Sequence, residues 1–169
     1  MQTDQSELRL LLDSRIPLIA IESAEENRVV ELFRSIAHDS KMPVFTWSVT
    51  AGFTRIDKDM GSQAFSKRPE DALAQIRATQ RPGLYLLLDF HPYLDDPVIV
   101  RMLKEIALNY TTLGHTVALV SHDMELPGEL KVHCAEFKLA LPSPQIIEDL
   151  IRHEAREWSA DHGGKKVQA

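Results

Sequence analysis

The amino-acid sequence predicts an α/β fold in three layers, a parallel sheet of about five strands with helices on both faces. Short apolar runs alternate with stretches of helical period along the whole chain. Those runs are hydrophobic at consecutive positions, as strands covered on both faces are, where half-solvated strands would alternate. Helices that return the chain between such strands make right-handed crossovers, so the strands run parallel. The 169 residues suit one domain, and no short repeat or low-complexity segment competes with this reading.

A short helix over 6–13 opens the chain, and residues 16–21, apolar throughout and rich in isoleucine, form the first strand. A helix comes next at once. Ser23 and Glu26 have capping-box spacing, and Val29, Val30, Leu32, Phe33, Ile36 and Ala37 recur at helical intervals to about His38. Residues 43–49 are the second strand. The polar stretch 50–67, with two glycines and little periodicity, reads as a long loop of a kind that is either functional or disordered. Pro69 suits a first helical turn, Ala72, Leu73 and Ile76 supply that helix's apolar face, and Pro82-Gly83 ends the segment. Residues 83–89 form the third strand. Asp95 or Asp96 caps the next helix with Pro97 just inside it, and Ile99, Met102, Leu103, Ile106, Ala107 and Tyr110 are its buried stripe, closed by Gly114. Residues 115–121 and 135–139 are the fourth and fifth strands. Ser143-Pro144 then opens a last helix through Ile147, Leu150, Ile151 and Trp158. The domain so defined spans 1–160, and 161–169, with Gly163-Gly164 and basic residues after them, is a tail or the start of a linker.

Composition excludes several classes of function. Hydrophobic residues make up 44% and charged residues 26%, ordinary globular values that argue against disorder and against a membrane protein. The formal net charge of −6, with no stripe of Lys and Arg interleaved with aromatics, argues against nucleic acid, whose phosphates call for a basic face. Cys134 is the single cysteine, so no intramolecular disulfide can form, and beside His133 it reads as a buried thiol rather than a metal ligand. Residues 1–7 are polar and acidic, unlike a signal peptide, and the run 84–88 is too short to cross a bilayer; the expected location is cytoplasmic.

In an open parallel sheet, ligands bind beyond the carboxyl ends of the strands. Here those positions are acidic: Glu22, Glu25 and Glu26 after the first strand, Asp89 and His91 after the third, His122 and Asp123 after the fourth. A phosphate-binding loop needs glycines, so that backbone N–H groups can curl around phosphates, and a lysine to offset their charge, in the spacing G-x-x-x-x-G-K-[ST]. The chain has no such match. Glu22-Ser23-Ala24-Glu25-Glu26 stands in its place, with three carboxylates that would repel ATP and a helix N-terminus already occupied by its own glutamates. The third strand closes on Asp89 in the form of a magnesium-holding Walker B element, but the next residue, where a motor ATPase carries its water-activating glutamate, is Phe90. That position is therefore a remnant, and no residue is assigned a catalytic role. Asp89, His91 and Asp123 remain candidates for a cation. Trp47 reads as core, and His153 with Glu157 as an exposed pair one helical turn apart.

The ladder of elements resembles the core of an AAA-type ATPase, a RecA-like P-loop NTPase fold, which implies a strand order of 5-1-4-3-2 with the Walker A motif absent. Leu18-Ile19-Ala20-Ile21-Glu22, Val44-Phe45-Thr46-Trp47-Ser48-Val49-Thr50-Ala51-Gly52 and the segment 84–94 are similar to the N-terminal region of the cyanobacterial and chloroplast ycf-type AAA ATPases. The resemblance covers nearly the whole chain. It implies a degenerate domain that precedes a complete motor domain, so that ATP, and the motor that hydrolyses it, belong to the parent protein. Segment 126–144 is similar to the stretch that in active cores carries arginine fingers, the last strand and the lid helix. Lys131 and His133 stand where paired arginines would be, and Ser121-His122-Asp123 replaces the polar sensor asparagine.

The leading expectation is thus a non-catalytic regulatory or assembly domain, contacting its own motor domain and neighbouring subunits and needing no cofactor of its own beyond, at most, magnesium. A second reading is a metal-dependent hydrolase that uses Glu22, Asp89, His91, His122 and Asp123 to hold Mg²⁺, Mn²⁺ or Zn²⁺. A third is a stand-alone adaptor or receiver-like domain, for which Glu22 and Asp89 are suitably placed but the usual lysine after the fifth strand is missing.

Overall fold

The computed structural model describes residues 2–58, 60–63, 66–139, 148, 151–152, 155–156 and 158. Helix α1 (Gln2–Asp13) leads to β1 (Leu18–Glu22), α2 (Glu26–Ser40) and β2 (Val44–Ser48). Then come β3 (Gly52–Arg55), β4 (Met60–Gln63), α3 (Pro69–Ala78) and β5 (Leu84–Leu88). A 3-10 turn (His91–Tyr93), α4 (Pro97–Leu108), α5 (Tyr110–Leu113), β6 (Thr116–Ser121), α6 (Gly128–Lys131) and β7 (Cys134–Phe137) complete the described fold.

The strands form one sheet in the order β4-β3-β2-β5-β6-β1-β7. β7, β1, β6, β5 and β2 are mutually parallel, and numbered along the chain among themselves they stand 5-1-4-3-2, the expected order. The other two strands correct the reading of 50–67 as a loop. There β3 pairs antiparallel with β2, Phe45 opposite Arg55 and Ser48 opposite Gly52, and β4 pairs antiparallel with β3 through a register irregularity between Phe53 and Arg55. Gly52, at φ 71°, makes the tight return possible because it has no Cβ to clash there.

Helices cover both faces of the sheet. Side chains alternate along each strand, so Ile19, Ile21, Leu84, Leu86, Ala118 and Val120 meet Leu8 of α1 and Val29, Leu32, Phe33 and Ile36 of α2. Leu18, Ala20, Trp47, Tyr85, Leu87, Val117 and Leu119 face the other way, onto Leu73 and Ile76 of α3 and Ile99, Leu103 and Ile106 of α4. Each fully buried Leu, Ile, Val or Phe among them contributes about 1.5–3 kcal/mol relative to exposure, which is why strands apolar on both faces persist. Trp47 is completely buried, and its indole N–H donates to the Ser66 carbonyl at 2.6 Å.

Asp96 caps α4, accepting from the Val98 N–H at 2.7 Å, with Pro97 in the first turn. The helix expected to run on to Tyr110 breaks at Asn109, and α5 ends at Gly114 in the left-handed region at φ 67°. Met1–Leu139 is one compact unit and Ala140–Ala169 a second. In the second, Glu148, Ile151, Arg152, Ala155, Arg156 and Trp158 are helical. Ser143-Pro144, Ile147, Leu150, His153, Glu157 and the segment 161–169 lie outside the described residues. Among those described, no helix is long and apolar enough to cross a membrane.

Candidate functional site

The turn between β1 and α2 is where a nucleotide's phosphates would have to bind. Only Ser23, Ala24 and Glu25 separate the end of β1 from the start of α2. The Ser23 N–H donates to the Ser121 carbonyl at 2.8 Å, extending the pairing of β1 with β6. The Ser23 hydroxyl accepts the Glu25 N–H at 3.0 Å, so the expected capping box with Glu26 does not form. A short polar side chain that bonds two residues ahead makes a local turn instead, and the helix starts just beyond it, at Glu26. Glu25 turns both carboxylate oxygens toward Arg28 at 3.3 Å, and Arg28 also bonds the buried Asp4 at 3.0 Å. Glu22 and Glu26 are exposed. The turn is short, carries no glycine or lysine, and its Glu25 amide is already taken, unlike a loop that curls free amides around phosphates.

At the end of β5 the backbone does something the sequence does not announce. Asp89 adopts φ 51°, in the left-handed region, while its N–H still donates to the Val120 carbonyl at 2.9 Å. Aspartate tolerates that conformation better than most residues with a Cβ. In a continuing strand, Phe90 would fall on the Leu84–Leu86 face. The left-handed turn sends it to the Tyr85–Leu87 face, where it is completely buried against Trp47 and Tyr93, with ring centroids at 5.3 Å in both contacts. The position at which a motor ATPase carries its glutamate is a core position here.

Because β5 and β6 are neighbours, the residues just past their carboxyl ends converge. One donor atom each from Asp89, His91 and His122 lies within 4.8 Å of the others. Ser121, buried at 2% exposure, meets His91 Nδ1 at 2.6 Å and so fixes that ring. The rings of His91 and His122 stand edge to face with centroids 5.2 Å apart. Asp123 is outside this group; with His91, Asp95, Glu125 and Lys131 it lines a groove of about 550 Å³ alongside. Glu22 lines a cavity of about 150 Å³ with Glu136 and Lys138, and Glu125, Leu126 and Lys131 line both this cavity and the groove. Of the carboxylates and imidazoles at the strand ends, Asp89, His91 and His122 come closest together, while Asp123 and Glu22 line the adjoining groove and cavity. The sequence already set His122 among the crevice residues on the strand expected beside that of Asp89; the structure adds the close grouping of these two with His91.

Lys131 is exposed at the end of α6, and His133 is half-buried just before β7. Burial pushes the Cys134 thiol up to about 11, so it stays protonated near neutrality and is a poor metal ligand.

Comparison with known proteins gives the family. The family described as SpoVK-like AAA ATPase, N-terminal domain, matches residues 4–139, and the chain belongs to it. It is 31% identical over 151 residues to an uncharacterized AAA domain-containing protein, ycf46, of Trieres chinensis, covering 86% of this chain and 30% of that protein. The ycf46 protein of Pyropia yezoensis matches at the same identity and coverage, and that of Guillardia theta at 29% identity. The chain thus spans about 30% of the length of these relatives. Among solved structures, a chain of the Drosophila ORC bound to DNA superimposes with a TM-score of 0.40 at 9% identity, covering 87% of this chain and 94% of that one.

Proposed function

We propose that this N-terminal domain of an AAA-type ATPase is non-catalytic, and that it regulates or assembles the parent protein through contacts with its motor domain and with neighbouring subunits. The observation that carries the reading is the β1–α2 turn, which is three residues long, has no glycine or lysine and spends its Glu25 amide on the Ser23 hydroxyl. The burial of Phe90 in place of an exposed glutamate supports it. The share of the relatives' length that this chain leaves uncovered gives room for a motor domain elsewhere in the parent.

Isothermal titration of the chain with MgATP should give no binding heat, and a parent protein lacking residues 1–139 should keep nucleotide binding while losing assembly or its normal control of turnover. Saturable MgATP binding by the isolated chain would overturn the non-catalytic assignment. A deletion that leaves both assembly and turnover unchanged would overturn the regulatory one.

A further inference from the structure

We infer that Asp89, His91 and His122 form a binding site for a borderline first-row dication, zinc being the reference case, which clamps the end of β5 to the end of β6. The three donors come from two adjacent strand ends and approach one another within 4.8 Å. Among the described residues, no hydrogen bond or ion pair joins Asp89 to either ring, and no lysine or arginine pairs with it. A carboxylate and two imidazoles brought together without bonding one another keep lone pairs available to a shared ion.

The arrangement of the rings fits one ion. Two imidazoles bound through nitrogen at about 2.0–2.1 Å to a tetrahedral ion have ring centres about 5 Å apart. The observed separation is 5.2 Å. The partner of His91 fits as well. A ligating histidine characteristically donates its second ring N–H to a fixed acceptor, which sets its tautomer and aim. Ser121 Oγ meets Nδ1 at 2.6 Å from a buried position, which leaves Nε2 as the free atom. Asp89 and His122 are exposed, so their side chains can close by the ångström or so that bonding distances require.

The donor set also selects the ion. Imidazole nitrogen suits zinc, cobalt, nickel and copper, whereas magnesium takes oxygen ligands and gives up its waters reluctantly. The site is therefore different in kind from a Walker B magnesium site, which needs phosphate oxygens. Three protein ligands leave at least one position open to water or to a donor from a partner.

Zinc titrated into the full chain in a non-chelating buffer should bind with 1:1 stoichiometry, and cobalt in its place should give the visible absorption of a tetrahedral nitrogen and oxygen site. Asp89→Asn and His122→Asn should each abolish or severely weaken both signals. Asparagine adopts the left-handed region readily, so the first variant keeps the turn. Ser121→Ala should weaken binding by about tenfold while leaving the stoichiometry at one, as loss of an orienting partner does. His38→Asn, at a remote and exposed histidine, should change nothing. Millimolar magnesium should not compete. Absence of saturable zinc binding, or binding that Asp89→Asn and His122→Asn leave unchanged, would overturn the site. Neither result depends on the outcome with MgATP.

Discussion

Single residues carry the sharpest consequences of this structure. His115 is fully buried, its Nε2–H donates to the Thr79 carbonyl at 2.8 Å, and its Nδ1 has no hydrogen-bond partner among the described residues. Burial holds the imidazole below its ordinary range, because a proton on Nδ1 would add a charge and a donor with nothing to accept it. The unfolded chain therefore binds more protons than the folded one between the ordinary imidazole value and the lowered one, so stability falls as pH drops through that window. Urea midpoints of the wild type should decline from pH 7 to 5.5, and His115→Gln should flatten that decline. Asp89 gives a second expectation. A β-branched residue in the left-handed region costs about 1–2 kcal/mol, so Asp89→Val should lower stability by that amount in chemical denaturation, while Asp89→Gly should stay close to wild type. The sequence did not disclose this turn. Aspartate after an apolar run is compatible with an ordinary strand end, and what reverses the chain is the space that Trp47 and Tyr93 leave for Phe90.

Among the elements, the β3–β4 segment is the one the sequence concealed. Its strands are only four residues each, and of β3 only Gly52 and Phe53 are buried, too short a pattern to separate from an irregular loop. What fixes β3 is Asp57, whose carboxylate accepts the Val44 N–H at 3.1 Å and grips Arg55 through two bonds of 2.8 Å. The hydrogen bonds from Arg55 hold the Asp57 carboxyl below the usual carboxylate range. That contribution is complete above the ordinary aspartate value and disappears as pH falls through the lowered one. Asp57→Ala should cost about 1–3 kcal/mol near neutrality, since it strands a backbone donor and a partly buried guanidinium. The gap between variant and wild type should narrow in acid, which urea titrations at pH 7 and near pH 3 would reveal. By contrast β5 and β6 were legible from sequence, because a run such as Leu84-Tyr85-Leu86-Leu87-Leu88 can be satisfied only between two helical layers.

At the scale of the whole molecule, the fold was more readable than the site. Hydrophobic runs record burial on both faces, and alternation with helices records parallel crossovers, so the parallel sheet could be derived from local signals, while its strand order came with the resemblance to an AAA-type core. The site depends in addition on where single side chains point: the sequence set His122 and Asp89 on neighbouring strand ends, but not the grouping with His91 that leaves Asp123 out. The division at Leu139 carries its own expectation. Among the described residues both hydrophobic cores lie within the first unit, so a chain of residues 1–139 should unfold in one cooperative transition with a midpoint near that of the full chain. Loss of the sigmoidal transition on truncation would show that the second unit is needed for folding.

The inward course of Phe90 also bears on whether a hydrolytic domain could be regained by mutation. Phe90→Glu would place a carboxylate among Trp47, Tyr93 and the α4 side chains, where an unpaired charge is strongly destabilising. A glutamate facing solvent would first require Asp89 to leave the left-handed region, and that would empty the pocket Phe90 now fills. Each single step lowers stability, so the packing ties this position to an apolar residue.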